Sequence, residues 1–522
     1  MAFGAPGASS HAPSQQTITR SPGRAVKLIS IDLGAQSGRV AVGLFDGRRL
    51  KVSEVHRFPN VPVRIHDRLH WDPLRLYDGV LEGLRAAAHQ GGSFASVALD
   101  GWGVDFALLD RAGRLLQNPV HYRDRRTESA FEEVRQQVPP REIFQRTGNQ
   151  LLPINTVYQL WAMVAGKDPV LDVADRLLLL PDLFHYWLSG VPRCELTEAS
   201  TTQCYDPVAG DWAWDLMTRL GLPGHLLGEV VPPGTILGAL RAEVTEETGL
   251  GGASVITPAS HDTASAVAAV PFYQPGSAYV SSGTWSVVGM EVPRPVIDER
   301  AFLADLTNEG GAGGTFQLLS NGTGLWLLHE CRRTWDLHGQ GWQFTELVTM
   351  AESAPPLGSL VDPNDPVFLA PGDMPRRIAE WCQRSGQSVP AGPAAMVRCV
   401  LESLALAYRQ TIELLTSACG TSPPAVHIVG GGARNELLCQ LTADATGLPV
   451  WAGPTEASEV GNLLVQAVAL GELSSLEEAR AVVAESFSPV LYEPRQRGPW
   501  DDAYHRFSQL SQRRRARRLP AG

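Results

Sequence analysis

Two stretches of the chain, about 250 residues apart, repeat one pattern in which a turn of small residues joins two apolar strands. The first is "ISIDLGAQSGRVAVGLFDG" (residues 29–47), where β-branched runs flank a turn broken by Gly34 and Gly38. The second is "SAYVSSGTWSVVGMEV" (residues 277–292), with its turn at 281–284. A unit repeated at corresponding places predicts two related halves, each of which offers a small-residue loop to one ligand in a cleft between them.

The first turn carries more polar chemistry than a hairpin requires. Backbone N–H groups freed by its glycines, together with Ser37 and Arg39, can cradle phosphate oxygens while Asp32 faces a metal ion. A similar role is open to Gly430–Gly432 in "HIVGGGARN", because glycines at a strand-to-helix junction let an anionic ligand approach the backbone. Two alternatives stay open: a solvated hairpin at the first turn, and close packing at the triple glycine.

The rest of the sequence alternates strand-like and helical runs, which is typical of α/β proteins. The run "WDPLRLYDGVLEGLRAAAHQ" predicts a helix that begins near Asp72-Pro73, and "SVALDGWGVDFALLD" predicts a strand, a turn and a strand. The run "ASVITPASHDTASAVAAVP" predicts a strand followed by a small-residue helix. The proline-rich segment 351–376 predicts an irregular excursion, and a long apolar helix is predicted to end at Gly420.

Length, charge and cysteine content limit the class of protein. At 522 residues the chain exceeds what one hydrophobic core serves, so at least two large domains are expected. A net charge of −11 argues against nucleic-acid and membrane partners. The seven cysteines form no C-x-x-C pair, and neither a long apolar run nor an apolar leader is present, so we expect free thiols in a reducing cytoplasm.

The common phosphate-binding motifs are absent. A P-loop needs Gly-Lys-Ser/Thr, but Lys167 is the only lysine that follows a glycine, and Asp168 comes after it. Protein-kinase motifs fail because Asp105-Phe106 is followed by Ala107, and "GGGARN" lacks the third glycine of a dinucleotide fingerprint. The predicted phosphate loops must therefore belong to another class.

The chain resembles the FGGY carbohydrate kinases of the actin-like ATPase superfamily. The resemblance is carried, in order, by "IDLGAQSGRV", "DGWGVDFALLD", "YRDRRTE", "LLPINTVYQL", "ASHDTASAV", "YVSSGTWS", "TNEGG", "GLWLL" and "HIVGGGARN". It implies an α/β protein with two actin-like (ribonuclease H-like) ATPase domains, at 25–272 and 273–490, and an interdomain cleft. A disordered N-terminal extension at 1–24 and a C-terminal tail at 491–522 are expected to flank them.

Within this family, "WGVDF" and "ASHDTASAV" are similar to the subfamily that acts on L-rhamnulose. The implied reaction, a step of L-rhamnose catabolism, is the ATP-dependent phosphorylation of L-rhamnulose at O1 with Mg²⁺, giving L-rhamnulose 1-phosphate and ADP. Another ketose or polyol, such as L-fuculose or D-xylulose, is an alternative substrate, and an actin-like ATPase without kinase activity is a further alternative. A ketose and ATP are the implied partners of a monomer or small homo-oligomer.

The resemblance also implies the residues of the site. Asp262 corresponds to the family's proton acceptor, and Asp32 is expected to face Mg²⁺. The residues implied for ATP are Ala35, Gln36, Ser37, Gly38, Arg39, Thr284 and Gly431. The residues implied for the sugar are Gly103, His261, Asp262, Thr263 and Asn321.

The residues themselves give a second view of Asp262. It falls in the first turn of the predicted small-residue helix, where the helix dipole favours the ionised carboxylate, so we expect a weak base. A weak base suffices, because phosphoryl transfer depends more on orienting the attacking hydroxyl than on early proton removal. The alternative is that Asp262 caps the helix and that His261 is an ordinary buried histidine.

Three positions depart from the family pattern, and one of them is Gln36, where the first loop usually has a second small residue. Gly101 stands where the family often has a threonine, and His329 stands eight residues after Asn321, where the family typically places a glutamine near the nucleotide. If His329 reaches the nucleotide, its protonation between about pH 5 and 8 attracts ATP, so the KM for ATP rises with pH. The alternative is that its ring lies in helix packing and meets no phosphate.

Overall fold

The computed structural model describes residues 25–518 of the chain. The predicted N-terminal extension at 1–24 lies outside the described residues, as do the last four residues of the predicted tail. Within residues 25–518, no helix combines the length and the apolar character needed to cross a bilayer.

The first half of the chain is built on a six-stranded mixed sheet. The strands of this half are β1 (Val26–Leu33), β2 (Ser37–Phe45), β3 (Leu50–Pro59), β4 (Val63–Ile65), β5 (Arg68–His70), β6 (Ser96–Gly101), β7 (Phe106–Leu109), β8 (Arg176–Leu179), β9 (Cys194–Glu195), β10 (Tyr205–Asp206), β11 (Asp211–Trp212), β12 (Val230–Val231), β13 (Ile236–Ala239) and β14 (Ser254–Ile256). Its helices are α1 (Pro73–His89), α2 (Thr127–Gln137), α3 (Pro140–Thr147), α4 (Thr156–Ala165), α5 (Leu180–Ser189), α6 (Leu196–Ala199), α7 (Trp214–Arg219), α8 (Ala242–Thr248) and α9 (Asp262–Ala268). The large sheet has the order β13-β14-β6-β1-β2-β3.

The second half is built on a seven-stranded sheet. Its strands are β15 (Ala278–Ser282), β16 (Trp285–Val292), β17 (Thr307–Gly310), β18 (Phe316–Thr323), β19 (Val426–Val429), β20 (Val450–Ala452) and β21 (Val490–Tyr492). Its helices are α10 (Glu299–Leu303), α11 (Trp326–Leu337), α12 (Phe344–Glu352), α13 (Met374–Arg384), α14 (Gly392–Cys419), α15 (Glu436–Thr446), α16 (Ala457–Ala469), α17 (Leu476–Phe487) and α18 (Gly498–Arg518). The sheet has the order β17-β18-β16-β15-β19-β20-β21.

The two large sheets share one arrangement of strands. Each contains an antiparallel hairpin, β1–β2 or β15–β16, which a further antiparallel strand, β3 or β18, continues on one side. On the other side each hairpin is followed by two parallel strands, β6 and β14 or β19 and β20. The repeated turn in the sequence therefore marks a repeated α/β unit, as predicted.

Local signals in the sequence place the first elements correctly. In the β1–β2 hairpin Asp32 pairs with Arg39, so the polar residues of the first turn lie at one end of the sheet. Helix α1 begins at Pro73, and the side chain of Asp72 accepts a hydrogen bond from the Arg75 N–H in its first turn. The segment "SVALDGWGVDFALLD" forms β6 and β7, although β7 pairs with β8 and not with β6.

Helix α16 ties the second half of the chain to the first. It crosses α9 so closely that a Cβ on Gly461 would lie 1.7 Å from the carbonyl oxygen of Ser265. On the same helix, Gln466 donates to the Ile29 carbonyl (3.0 Å) and accepts from Ser96 Oγ (2.6 Å), and all three groups are buried. The position of α16 is therefore fixed against the strands that end at the cleft.

The segment predicted as a C-terminal tail from residue 491 is instead part of the second half. Its first residues belong to the edge strand β21, and α18 packs against α14 and α15. Trp500, Ala503 and Phe507 are buried in the second core. Their i, i+3, i+7 spacing gives α18 one apolar face. The sequence-based prediction of a tail missed this face because the helix ends in an arginine-rich run.

Candidate active site

A cleft of about 520 Å³ lies between the two halves and is lined by residues of both. Its walls contain most of the residues predicted for ATP, sugar and metal: Asp32, Ala35, Ser37, Arg39, Gly103, His261, Asp262, Thr263, Thr284, Asn321 and Gly431. The repeated small-residue turns therefore meet in one cavity.

Two residues predicted for ATP, Gln36 and Gly38, do not line this cavity. The carbonyl of Gln36 accepts a hydrogen bond from the backbone N–H of Asn60 (3.0 Å), which ties the loop to the end of β3. Gly38 lies against Phe58, where a Cβ would come within 2.2 Å of the ring. Packing against Phe58 therefore accounts for a glycine at this position, while its contact with nucleotide stays a prediction.

Arg39 is held by three carboxylates at the cleft wall. Its guanidinium pairs with Asp32 on β1, and Nη1 lies 2.6 Å from Glu456 and 2.8 Å from Glu459 at the start of α16. Burial opposes the charge on Arg39, but the three carboxylates together raise its pKa. The residue predicted to face phosphate thus also joins the first hairpin to a helix of the second half.

Asp32 fits a magnesium-nucleotide complex. Burial raises the pKa of Asp32, and the neighbouring Arg39 opposes that rise. Among residues 25–518, no three His, Cys, Asp or Glu side chains are grouped as a metal site. Mg²⁺ bound with a nucleotide typically needs only one or two carboxylates, because phosphates and waters supply its other ligands. The Asp32 carboxylate, on the cleft wall beside the first small-residue turn, can supply such a ligand.

Asp100, which neighbours Asp32 on β6, is a buried acid that the sequence did not single out. Its Oδ2 accepts a hydrogen bond from Nδ2 of Asn462 on α16 (2.6 Å), while its Oδ1 finds no partner among the described residues. Burial, followed by repulsion from Asp32, raises the pKa of Asp100 well above its usual range. A protonated Asp100 would leave Asp32 as the charged member of the pair.

The triple glycine serves both of the purposes considered from the sequence. A Cβ on Gly432 would come within 2.1 Å of Ser282 Oγ, so this glycine allows close packing against β15. Gly430 has φ +77° and also lies against Ser282, a conformation that favours glycine. Gly431 lines the cleft, and a Cβ there would meet no described atom within 4 Å. Gly430 lines the cleft as well, so both glycines are placed to present backbone to a ligand, and Gly431 is the more open of the two.

The "WGVDF" segment forms a buried wall of the cleft. Asp105 accepts hydrogen bonds from Nε1 of Trp71 (2.6 Å) and Nε1 of Trp102 (3.1 Å), and burial raises its pKa to about 6. Gly103 lines the cleft beside Thr201, where a Cβ would lie 2.7 Å from the hydroxyl oxygen. Asp105 therefore fixes the two tryptophan side chains of this wall. The residue lies within the "WGVDF" motif, but the sequence did not indicate this role.

Asp262 is the first residue of α9, and its side chain is 36% exposed at the cleft. Desolvation inside the cleft raises the pKa of Asp262, and the neighbouring His261 opposes that rise. Desolvation thus acts against the helix dipole, from which a weak base was expected. Asp262 is not the cap of α9, since His261 occupies that position.

Several polar cleft residues were not predicted from the sequence, and three of them lie close to the proposed sugar site. Glu309 lines the cleft from β17, and Asn149 and Gln150 line it from the loop after α3. Asn149 Nδ2 donates to the carbonyl of Ser200 (2.9 Å) and to the hydroxyl of Thr307 (2.9 Å), so it joins the two halves. The motifs "TNEGG" and "LLPINTVYQL" mark this region, but their residues become neighbours only through the fold.

His329 is not among the residues that line the described cleft. It lies on α11 with its ring centroid 4.7 Å from that of Phe344 on α12. Burial, with a smaller contribution from Arg332, lowers the pKa of His329. The structure therefore favours the packing alternative for this residue.

We expect His329→Gln to leave the pH dependence of the KM for ATP unchanged. The ring packs against Phe344 and is not among the residues that line the cleft, and its pKa is lowered, so its titration is not expected to act on the nucleotide. Steady-state KM values for ATP at several pH values would be parallel in the two proteins. A curve flattened by the substitution would return His329 to the nucleotide site.

Solved structures of other proteins share this fold. The fold is similar to that of gluconate kinase from Lactobacillus acidophilus, with a TM-score of 0.76 and 17% identity over 94% of this chain and 98% of that chain. It is also similar to xylulose kinase from Rhodospirillum rubrum, with a TM-score of 0.75 and 21% identity over 93% of this chain and 98% of that chain. The architecture is thus the two-domain actin-like, ribonuclease H-like fold, as predicted.

Sequence comparison then gives the family. The FGGY family of carbohydrate kinases matches with its N-terminal domain over residues 27–269 and with its C-terminal domain over residues 278–470. The rhamnulokinase of Bacteroides thetaiotaomicron is 41% identical over 478 residues, covering 92% of this chain and 98% of that protein. The rhamnulokinase of Oceanobacillus iheyensis is 37% identical over 464 residues, covering 89% and 97%. The chain belongs to the FGGY family of carbohydrate kinases.

Proposed function

We propose that this carbohydrate kinase transfers the γ-phosphoryl group of ATP to O1 of L-rhamnulose, giving L-rhamnulose 1-phosphate and ADP. The choice of L-rhamnulose is supported by rhamnulokinases that are 41% and 37% identical over about nine tenths of the chain. The proposed setting is the cytoplasm, where ATP is available and the seven free cysteines stay reduced.

The observation that carries the proposal is the place of Asp262. It shares one cleft with both small-residue loops and with Gly103 and Asn321, which are expected to face sugar. Its charge acts on Asp32, beside the first loop, and on His261, so it lies within electrostatic reach of both parts of the cleft. An acid so placed can accept the proton of a hydroxyl that attacks a phosphoryl group.

The proposed chemistry uses few protein groups. As the bond between O1 and Pγ forms and the bond from Pγ to the bridging oxygen of ADP breaks, the O1 proton passes to Asp262. The backbone at Gly431 and the loops of the two hairpins hold the phosphates, and Asp32 is the residue that would hold Mg²⁺. When bound with ATP, Mg²⁺ supplies positive charge that offsets the charge on the phosphate oxygens.

An ADP-release assay with several acceptors tests the proposed substrate. L-Rhamnulose, L-fuculose, D-xylulose and glycerol are compared at matched concentrations with ATP and Mg²⁺. We expect the largest kcat/KM for L-rhamnulose, by about tenfold or more, because hydrogen-bonding sites reject acceptors that leave their groups unpaired. L-Fuculose is the sharpest control, since it differs from L-rhamnulose at one stereocentre.

Two results would contradict the proposal. A larger kcat/KM for another acceptor would support kinase activity but show that L-rhamnulose is not the preferred substrate. ATP turnover that is indifferent to every acceptor would indicate an ATPase without kinase activity.

A further inference from the structure

His261 lies between two carboxylates that come from different halves of the chain. Its Nδ1 is 3.1 Å from Oε2 of Glu309 on β17, and its Nε2 is 3.6 Å from Oδ1 of Asp262 on α9. The side chains of His261 and Glu309 are only 14% and 7% exposed. Glu309 therefore contacts the residue beside the proposed base, although about 50 positions separate them in the sequence.

The position of Glu309 is fixed because β17 is docked on the first half. The backbone N–H of Gly310 donates to Ser200 Oγ (2.8 Å), and the N–H of Asn308 donates to the carbonyl of Gly148 (2.9 Å). These bonds lie on either side of Glu309 along the strand. Its carboxylate is thus held at His261 by backbone contacts that do not depend on a ligand.

The backbone of His261 is fixed as well. Its N–H donates to Thr197 Oγ1 (2.9 Å), and the hydroxyl of Thr197 donates in turn to Glu195 (2.5 Å). The backbone of His261 is thus fixed by a hydrogen bond, while its buried Nδ1 faces Glu309 at ion-pair distance without ordinary hydrogen-bond geometry.

The charges around the ring favour one protonation state. A neutral imidazole carries one N–H, so one of its nitrogens would present a lone pair to a carboxylate, whereas the cation presents an N–H to both. The acidic groups that face His261 are Glu309 on β17, Asp262 on α9 and Glu195 at the start of α6. Burial alone would lower the pKa of His261, but these carboxylates raise it to about 9.

We propose that Glu309 is a positioning residue, which acts through Nδ1 of His261 to hold the imidazole doubly protonated, with its Nε2–H turned toward Asp262. A fixed cation at this place keeps the Asp262 carboxylate ionised and oriented toward the acceptor hydroxyl. The catalytic part of this proposal rests on the proposed function, whereas the ionised His261–Glu309 pair is a property of the protein without substrate.

The pair can be tested without any activity measurement. The enzyme is labelled with ¹³C at histidine Cε1, and the signal of His261 is assigned by its loss in His261→Gln. We expect His261 to titrate near pH 9 in the unmutated protein. In Glu309→Gln we expect its midpoint to fall by about one to three pH units, because an opposite charge at this distance has an effect of that size.

Glu82→Gln is the matched control. Glu82 forms another histidine–glutamate contact, with its Oε2 3.3 Å from Nε2 of His56, and the side chain of Glu82 is 51% exposed. This substitution should leave the titration of His261 unchanged. A midpoint of His261 near 6.5 in the unmutated protein would overturn the proposal, even if Glu309→Gln failed to fold.

The pH profile of kcat tests the catalytic part. The midpoint of the high-pH limb should lie near pH 9 in the unmutated enzyme. In Glu309→Gln this midpoint should fall together with the pKa of His261, and in Glu309→Asp it should return part of the way toward pH 9. An unshifted limb in Glu309→Gln would overturn the positioning role. An enzyme that is inactive on every ketose while His261 still titrates near 9 would instead contradict the proposed function.

Discussion

Asp262→Asn is expected to lower kcat by about 10²- to 10⁴-fold, which is the usual contribution of a positioned general base. The substitution keeps the size of the side chain and removes its ability to accept a proton. The KM for the ketose should change much less, because the lost interaction develops in the transition state. Steady-state ADP release at saturating ATP measures both parameters.

Asp298→Asn is the matched control for this experiment. Asp298 also stands at a helix start, where its side chain accepts from the N–H of Ala301 (2.9 Å), but it lies outside the cleft. Asparagine caps a helix about as well as aspartate, so activity should be unchanged. A near-normal kcat in Asp262→Asn would show that Asp262 is not the base.

Gly461→Ala is expected to destabilise the protein by about 1–3 kcal/mol or more, as overpacking of a tight interior does. The added methyl would lie 1.7 Å from the Ser265 carbonyl oxygen, so α16 and α9 must separate. By the usual relation for large domains, a loss of 3 kcal/mol corresponds to a fall in Tm of about 6–12 °C. Thermal unfolding followed by circular dichroism measures it.

The separation of α16 from α9 in Gly461→Ala should also reduce catalysis. Helix α16 carries Glu459, which pairs with Arg39, and Asn462, which donates to Asp100. Gly358→Ala is the control, since a Cβ there meets no described atom within 4 Å and the backbone needs no positive φ. It should unfold like the unmutated protein. An equal Tm for Gly461→Ala would mean that the crossing of the two helices is not tightly constrained.

Features that depend on neighbours in sequence were predictable. The first hairpin, the start of α1 at Asp72-Pro73 and the end of α14 at Gly420 follow from apolar period, capping and the left-handed preference of glycine. The two sheets were predictable because a turn of unusual composition occurs twice. Most of the site residues that the family resemblance implied line the cleft.

Features that depend on long-range contacts were not predictable. The partners of Arg39 on α16 lie more than 400 residues away, and Glu309 meets His261 only because β17 docks on the first half. The pKa of Asp262 shows a related limit, because a helix dipole can be inferred from sequence whereas desolvation by burial depends on the fold. The packing of Gly38 against Phe58 was not predictable either, because the two residues lie on different strands.

The most direct test of the proposed function is the identity of the product. The enzyme is incubated with ATP, Mg²⁺ and L-rhamnulose labelled with ¹³C at C1, and the mixture is examined by ¹³C and ³¹P NMR. We predict a new phosphomonoester whose phosphorus is coupled to C1, formed in equal amount with ADP. Release of inorganic phosphate with unchanged ketose, or a phosphoester without coupling to C1, would contradict phosphorylation at O1.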